Sequence, residues 1–446
     1  MQESEVLKQV IKLKQKKLFE QFPPVTRQEW MDKINADLKG ADFNKKLVWK
    51  SGEGFDVMPF YLQEDMKNLT YIDAFLPLYL RGDVMTNSND RGVILPANRW
   101  LVRQNINVSD YSAANKKAVK ILQKGIDSIG FIIGDPESIN DENLTLLLDG
   151  INPDSSEINF LSEGRAREII SSLIRISGNK GFDKSTLRGA VEADPLGRLM
   201  INGTLCIPVE AGFDYLAALT KETSILPNYR NIQVNGSNFT NAGSSTVQEL
   251  GFSISMATEY LAQLTDRGIS VEDAVSKIRF SFGIGSDYFM EIAKLRAARI
   301  LWEQIADAYN VSDKKRFRME IHSVTKVWND TIDDPYINML RTQTEAMSAV
   351  LGGTDSLTIN PFDIGDLPDE FSERIARNQQ LILKEEAWFD KVADPSAGSY
   401  YIENLTSLIA ENSWKLFTEI ENMGGFISAL NSGFVRGKNA GLPMKK

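Results

Sequence analysis

Eight short apolar stretches recur between residues 100 and 362, and each is followed by a longer segment of helical character. Strands that alternate with helices pair in parallel through right-handed crossovers. Eight such units close into a (β/α)8 barrel of about 250 residues, so the pattern predicts an α/β protein of the TIM-barrel class. The predicted strands are Trp100–Ile106, Ser128–Gly134, Glu157–Ser162, Thr186–Asp194, Arg230–Gly236, Lys277–Gly285, Arg318–Lys326 and Ser356–Phe362.

The segment before the barrel pattern reads as a helical arm. Residues 3–21 form a predicted helix, which the proline pair at 23–24 ends. Thr26 followed by Glu29 is a capping-box pattern, and it predicts a second helix that reaches about Leu38. We interpret residues 1–60 as an N-terminal arm that contacts another subunit, with a solvated leader as the alternative. Residues 47–99 are irregular, and we expect them to cover the mouth of the barrel.

Strong helical patterns also follow the later strands. Helices are predicted at 290–309, 335–351, 372–386 and 403–422. Residues 387–402 are predicted to form a loop and a short strand, and the Gly-rich basic end from Ser432 a frayed tail or the start of a linker. These divisions assign residues 61–402 to the barrel, and residues 403–446 to a C-terminal helical extension with a linker.

Composition narrows the functional classes. The chain has 446 residues, 50 Lys and Arg, 60 Asp and Glu, and a net charge of −10, with no basic patch that would favour nucleic acid. A single cysteine and a single histidine cannot build a His/Cys metal cage or an internal disulfide. No apolar run approaches the ~20 residues of a membrane span, and the charged N-terminus lacks the apolar core of a signal peptide. We therefore expect a cytoplasmic protein.

In a barrel of this class the chemistry lies at the carboxyl ends of the strands. A Gly-Ile-Gly run at 283–285 also ends a strand, but it lacks the third glycine of a dinucleotide fingerprint and is a weak phosphate loop. The polar residues at or near predicted strand ends are Asn105, Glu163, Glu192, Asp194, Asn235, Asn238, Asp287, His322, Lys326 and Asn360.

Several of these polar residues have both a structural and a functional interpretation. His322 is either a packed, hydrogen-bonded barrel residue or a group for proton transfer near neutral pH. Glu192 and Asp194 share one face of a strand, so they form either an acid/base pair or a contact with the next helix N-terminus. Arg103 and Arg279 lie inside apolar strands, where a charge is costly unless paired. Each is therefore ion-paired or ligand-binding.

Long runs of the sequence resemble the methylmalonyl-CoA mutase family. They are RFSFGIGSDYFMEIAKLRAARILW (279–302), DPYINMLRTQTEAMSAVLGGTDSLTIN (334–360), FSERIARNQQLILKEE (371–386) and DPSAGSYYIENLT (394–406). The N-terminal run LFEQFPPVTRQEWMDKINADLKGADFNKKLVWKSGEGF (18–55) resembles the small (β) subunit of the heterodimeric mutases. The resemblance covers the chain from about residue 20.

The resemblance implies a barrel through which coenzyme A threads. It also implies that the family's catalytic chain holds adenosylcobalamin in a following domain, where a radical rearrangement converts methylmalonyl-CoA to succinyl-CoA. In such enzymes the cofactor carries the difficult chemistry, and the protein positions and shields it.

Key family positions are substituted in this chain. Asn105 stands where the catalytic subunit has a tyrosine next to the corrin, and Asn238 where it has a histidine on the thioester carbonyl. Asn202, or a close neighbour, takes the place of the arginine that clamps the substrate carboxylate. No catalytic residue is therefore expected. The resemblance implies that Arg103, Arg279, Ser281 and His322 are remnants of substrate binding.

The family's cobalamin-binding signature, Asp-x-His-x-x-Gly, does not occur in this sequence. We therefore expect a non-catalytic small subunit that pairs with a large catalytic subunit, with adenosylcobalamin in the partner and none bound by this chain. One alternative is an independent acyl-CoA-binding barrel, or a mutase for another acyl-CoA. A second alternative is a homodimeric barrel without a ligand.

Overall fold

The computed structural model describes residues 22–67, 69, 98–311, 317–327, 329–363 and 369–439. The helix predicted at 3–21 and most of the irregular segment predicted at 47–99 lie outside these ranges.

Parallel strands form a closed barrel, as the sequence predicted. A short antiparallel hairpin of β1 (Trp49–Lys50) and β2 (Asp56–Val57) precedes it. The barrel strands follow one another in hydrogen-bonded order, and β7 and β8 are two halves of one strand interrupted at Asn231. Because β7 pairs with β6 and β8 pairs with β9, the sheet closes into a barrel of eight strands when β7 and β8 are counted as one. The strands are β3 (Leu101–Asn107), β4 (Ser128–Ile133), β5 (Glu157–Ser162), β6 (Gly189–Val191), β7 (Tyr229–Arg230), β8 (Ile232–Asn235), β9 (Ile278–Ile284), β10 (Ile321–Thr325) and β11 (Ser356–Thr358).

Helices surround the barrel and extend it at both ends of the chain. In chain order they are α1 (Arg27–Asp37), α2 (Phe43–Lys46), α3 (Tyr111–Leu122), α4 (Asp141–Leu147), α5 (Ala166–Lys180), α6 (Pro195–Asn202), α7 (Val209–Thr223), α8 (Ser237–Asn241), α9 (Thr246–Asp266), α10 (Val271–Val275), α11 (Tyr288–Ala308), α12 (Pro335–Gly352), α13 (Glu370–Leu381), α14 (Tyr400–Asn422), α15 (Phe426–Asn431) and α16 (Phe434–Asn439). A π-helical turn, Ile382–Glu386, extends α13.

The outer core is thickest where the C-terminal extension packs on the barrel. Helix α14 lies against both α9 and α11, so α11 is covered on two sides. This explains why α11 is buried around most of its circumference, including Lys294, Arg296 and Arg299. The aromatic rings of Phe280 and Trp302 meet edge to face beneath it, with centroids 4.9 Å apart.

Two helix ends lie where the sequence predicts them. Thr26 and Glu29 form the predicted capping box at the start of α1. The helix predicted at 335–351 is α12, and Gly353 ends it in a left-handed conformation, with φ of 89°.

Three local predictions were wrong. The short strand predicted within 387–402 does not form, because the segment turns back on itself and α14 begins at Tyr400. The predicted frayed tail is helical as far as Asn439, since Val435 is buried against the core. The fourth strand is limited to β6, because Asp194 leaves the sheet to cap α6.

Candidate functional site

The interior of the barrel is lined by polar side chains. Neighbouring strands place residues in register on the inward face, as in the row of Arg103, Ser128 and Glu157 and the row of Ser281, His322 and Ser356. Residues on one row share the face that points to the axis. The interior therefore presents charges and hydroxyls where a simple barrel core is filled by branched apolar residues.

Arg279 crosses this interior from β9 to β5. Its guanidinium donates to Asn159 Oδ1 at 2.6 Å and to Glu320 Oε1 at 2.7 Å, and it pairs with Glu157. Burial alone would raise the pKa of Glu320, but Arg230 and Arg279 outweigh it and hold that pKa at about 2. Arg279 is therefore ion-paired, which decides between the two interpretations of its buried charge.

Arg103 makes a second crossing, from β3 to the end of β6. Its Nη2 donates to Glu192 Oε1 at 2.8 Å, and its Nε donates to Asn105 Oδ1 at 3.0 Å. Gly130 on β4 makes room for this pair, because a Cβ there would lie 2.0 Å from Asn105 Oδ1. Asn105 thus serves the ion pair inside the barrel, and Arg103 is also ion-paired.

His322 is packed between hydroxyl groups in the same interior. Its Nδ1 lies 2.8 Å from Ser356 Oγ, and its Nε2 lies 3.4 Å from Thr358 Oγ1. Burial, followed by the positive charges of Arg103 and Arg279, lowers its pKa well below the usual value. The ring is therefore neutral at physiological pH, which favours the packed interpretation over proton transfer.

A cavity of about 470 Å³ opens at the carboxyl ends of β5, β6 and β8. We call it the upper cavity. It brings together sequence-predicted residues from three loops, namely Glu163, Glu192, Asp194, Asn202, Asn235 and Asn238. Asn105, by contrast, lies within the barrel interior beside Arg103.

Asp194 holds the base of the upper cavity in place. Its Oδ1 accepts from the Gly197 N–H at 2.9 Å and from the Tyr260 hydroxyl at 2.6 Å, so it caps α6. Burial raises the pKa of Asp194 to about 6. Because Glu192 is committed to Arg103, these two carboxylates act separately, and Asp194 follows the helix-terminus interpretation.

The wall of the upper cavity was missed in the sequence. Helix α6 and the segment after it place Ile201, Leu205 and Ile207 around the opening. Arg198 on the same helix donates to the Glu163 carbonyl at 2.5 Å and lies 3.4 Å from the Glu163 carboxylate. The signal was present, since Asp194 followed by proline and a glycine at 203 are standard helix boundaries.

The Gly-Ile-Gly run lies beside a second cavity, of about 490 Å³, beyond β9 and β10. The Gly283 N–H donates to Glu249 at 2.8 Å, and the Gly285 N–H donates to Glu291 at 3.0 Å. Lys294 pairs with both carboxylates. Since carboxylates already take these two amides, the run does not cradle a phosphate.

Acidic groups line the second cavity, and Glu345 lies behind its wall, where it accepts a hydrogen bond from Asn329. Burial raises the pKa of Glu345 to about 8, and the nearby Asp330 and Glu291 add to the rise. Burial likewise raises the pKa of Asp330 to about 6. Asp287 and Lys326 line the same cavity, as the strand-end rule predicted. Asn360 instead ties β11 to β10 through the Thr325 hydroxyl and carbonyl.

Within the described ranges, no helix has both the length and the apolar character needed to cross a membrane. The same residues contain no group of three or more His, Cys, Asp or Glu side chains arranged to hold a metal ion.

Comparison with known proteins identifies the family. The model of the methylmalonyl-CoA mutase family matches residues 137–441. The chain is 44% identical to the methylmalonyl-CoA mutase small subunit of Porphyromonas gingivalis, over 94% of this chain and 66% of that protein. It is 33% identical to the small subunit of Streptomyces virginiae, over 93% and 66%, and 34% identical to the methylmalonyl-CoA mutase of Rhizobium meliloti, over 87% and 57%.

The chain spans between 57% and 66% of the length of these relatives. The match nevertheless covers most of this sequence, including every strand of the barrel from β5 onwards. On this similarity, together with the closed parallel barrel, the chain belongs to the methylmalonyl-CoA mutase family.

Proposed function

We propose that this chain is the barrel of a non-catalytic small subunit of an adenosylcobalamin-dependent methylmalonyl-CoA mutase. Conversion between methylmalonyl-CoA and succinyl-CoA would then take place in a large catalytic partner subunit. The similarity to two small subunits supports this assignment. We also propose that the heterodimer works in the cytoplasm.

The observation that carries the proposal is the pair of ion bridges across the barrel. Arg279 joins β9 to β5, and Arg103 joins β3 to the end of β6, so both cross the axis along which the family threads coenzyme A. Admitting a ligand along this axis would require these buried pairs to separate. Leaving a buried charge without its partner costs about 3–5 kcal/mol. The bridges therefore favour a structural barrel over a substrate channel.

The residues of this chain do not fit adenosylcobalamin. His322 is the single histidine of the sequence, and it is buried with both ring nitrogens next to hydroxyl groups. It is therefore not available to coordinate cobalt. This supports the placement of the cofactor in the partner subunit.

The N-terminal arm offers a surface for that partner. Phe22, Val25 and Trp30 are exposed, and none of the residues of α1 is buried. Arg27 nevertheless pairs with Glu64 and Asp65, which fixes the helix to the following segment. Exposed apolar side chains on a segment that is held in place are expected to dock on another protein. We propose that residues 1–60 form the subunit contact.

Co-purification with a large subunit tests this contact. We expect the tagged large subunit of a heterodimeric mutase to retain the wild-type chain and to lose the Trp30→Ala variant. Trp388→Ala is the matched control, because Trp388 is also an exposed tryptophan and lies outside the arm. Retention of the Trp30 variant at the wild-type level would contradict the proposed contact.

A second candidate function is independent binding of an acyl-CoA, or a mutase reaction on another acyl-CoA. Gln233 favours it, because both polar atoms of this inward-facing side chain lack a hydrogen-bond partner in the described structure. Isothermal titration with coenzyme A and succinyl-CoA separates the two candidates. Micromolar binding by the isolated chain would favour the second candidate, and no heat of binding would favour the structural barrel.

A further inference from the structure

The upper cavity has the size and lining of a ligand-binding site. This inference does not depend on the proposed role as a small subunit. Its volume of about 470 Å³ falls within the range of small-molecule pockets. Ile201 and Ile207 at its opening are about half exposed or more. Apolar side chains from Val191, Pro195, Leu205 and Leu216 continue this surface inwards. A ligand with an apolar body would remove that surface from water.

The charges around the upper cavity set the polarity of the ligand's head group. Its carboxylates are Glu163, Glu168, Glu192 and Asp194, and its guanidiniums are Arg165 and Arg198. Arg198 already pairs with Glu163, and Arg165 pairs with Glu137 and Glu168. Both cations are therefore neutralised. Glu192 is paired with Arg103, so Asp194 is the one carboxylate of the lining without a cation, and its buried Oδ2 has no hydrogen-bond partner in the described structure. A base of this kind disfavours an anion and accepts from a donor.

From these observations we propose that the upper cavity binds a small, mainly apolar molecule with a hydrogen-bond-donating head group, of the class of an aliphatic amine or alcohol. Carboxylate, amide and hydroxyl groups at the base would accept from that head, and the isoleucines and leucines would cover its body. This chemistry differs from that of an acidic acyl thioester, which needs cationic groups around its carboxylate.

Cys206 provides a reporter for this site. It is the single cysteine of the sequence, it is exposed, and it lines the upper cavity. The experiment measures the rate at which neutral iodoacetamide alkylates Cys206 in the full chain, with increasing 1-hexylamine, 1-hexanol or hexanoate. We expect hexylamine and hexanol to slow alkylation with saturation, and hexanoate to have little effect. Equal protection by hexanoate, or no protection by any of the three, would overturn the proposal.

Two variants separate binding in the upper cavity from a general effect on the chain. Leu205→Trp fills the cavity and is expected to weaken protection by hexylamine at least tenfold, whereas Ile332→Trp alters an exposed isoleucine elsewhere. Glu163→Gln releases Arg198 and is expected to lower the preference for hexylamine over hexanoate by up to about fivefold.

Glu163 is 78% exposed, so the Glu163→Gln variant keeps the test independent of folding. Glu370→Gln, which loses an exposed pair with Lys120, is its matched control and should leave the preference unchanged. An unchanged preference in Glu163→Gln would contradict the electrostatic argument.

Discussion

Two arginines inside the barrel connect strands that lie on opposite sides of it. Arg279 pairs with Glu157 and Arg103 pairs with Glu192, and each partner lies three strands away around the barrel. Both arginines are almost fully buried. Because their partners lie across the interior, these side chains fix the spacing of strands that have no direct contact with one another. The barrel is therefore held from within as well as by its ladders.

Replacing Arg279 tests this internal support. We expect Arg279→Met to lower the free energy of unfolding by about 3–5 kcal/mol, because Glu157 would remain buried without its cation. Urea denaturation measures the loss. Arg175→Met removes an exposed arginine that pairs with Asp141, and it should cost about 1 kcal/mol or less. Similar losses in the two variants would show that the internal bridge adds little.

Gly130 should be intolerant of even one added methyl group. A Cβ at this position would lie 2.0 Å from Asn105 Oδ1 and 2.9 Å from Arg103 Nη2. We expect Gly130→Ala to cost about 1–3 kcal/mol of unfolding free energy. Gly134→Ala, directly after the same strand, is the control, because nothing lies within 4 Å of its Cβ position. Equal thermal stability of the two variants would show that the contact between Arg103 and Asn105 is loosely packed.

The raised pKa of Glu345 should make the stability of the protein depend on pH. Its folded pKa of about 8 lies above the ordinary value of 4.5, so its contribution is fully present below about pH 4.5 and is lost as the pH rises through 8. Glu345→Gln mimics the protonated form. From pH 5 to pH 9, this variant should lose about 2–4 kcal/mol less stability than the wild type. Parallel stability profiles of the two proteins would refute the assignment.

At the scale of elements, the N-terminal hairpin is fixed to the barrel through Glu53. This side chain accepts from the Thr246 N–H at 3.0 Å and from the Val247 N–H at 2.8 Å, at the start of α9. A carboxylate is favoured there by the helix dipole and the free amide groups. Burial raises the pKa of Glu53, and the hydrogen bonds from the helix oppose that rise.

Loss of this contact should release the hairpin without unfolding the barrel. We expect Glu53→Ala to speed proteolytic cleavage within residues 22–67. The free energy of unfolding of the whole chain should fall by only about 1–2 kcal/mol. Asp32→Asn, on the exposed face of α1, should leave the cleavage rate unchanged. Mass spectrometry of limited digests locates the cuts. An unchanged cleavage rate in Glu53→Ala would show that other contacts fix the hairpin.

Sequence pattern predicted elements better than their junctions. The eight apolar stretches gave the barrel because each must be buried between the interior and a helix. The pattern gave the wrong length for the fourth strand. That strand, β6, has only three residues, because Asp194 already caps α6. The pattern also failed for the tail, where one buried valine fixes a helix whose composition resembles that of a linker.

At the scale of the whole molecule, the family was predictable and the interior was not. Long runs such as residues 334–360 carry the resemblance directly, and the matched family model includes them. The ion bridges depend on strand register, which joins residues 89 and 122 positions apart in the chain. No local pattern contains that information. The same limit applies to the upper cavity, whose wall and base come from separate loops.

We propose that this chain supports catalysis by a large subunit without performing it. The most direct test is a mutase assay with methylmalonyl-CoA and adenosylcobalamin, on the purified chain, on the large subunit and on the two together. We expect no turnover by the chain alone, and turnover by the complex. Formation of succinyl-CoA by the chain alone would contradict it, because the bridged barrel would then have to admit and rearrange the substrate.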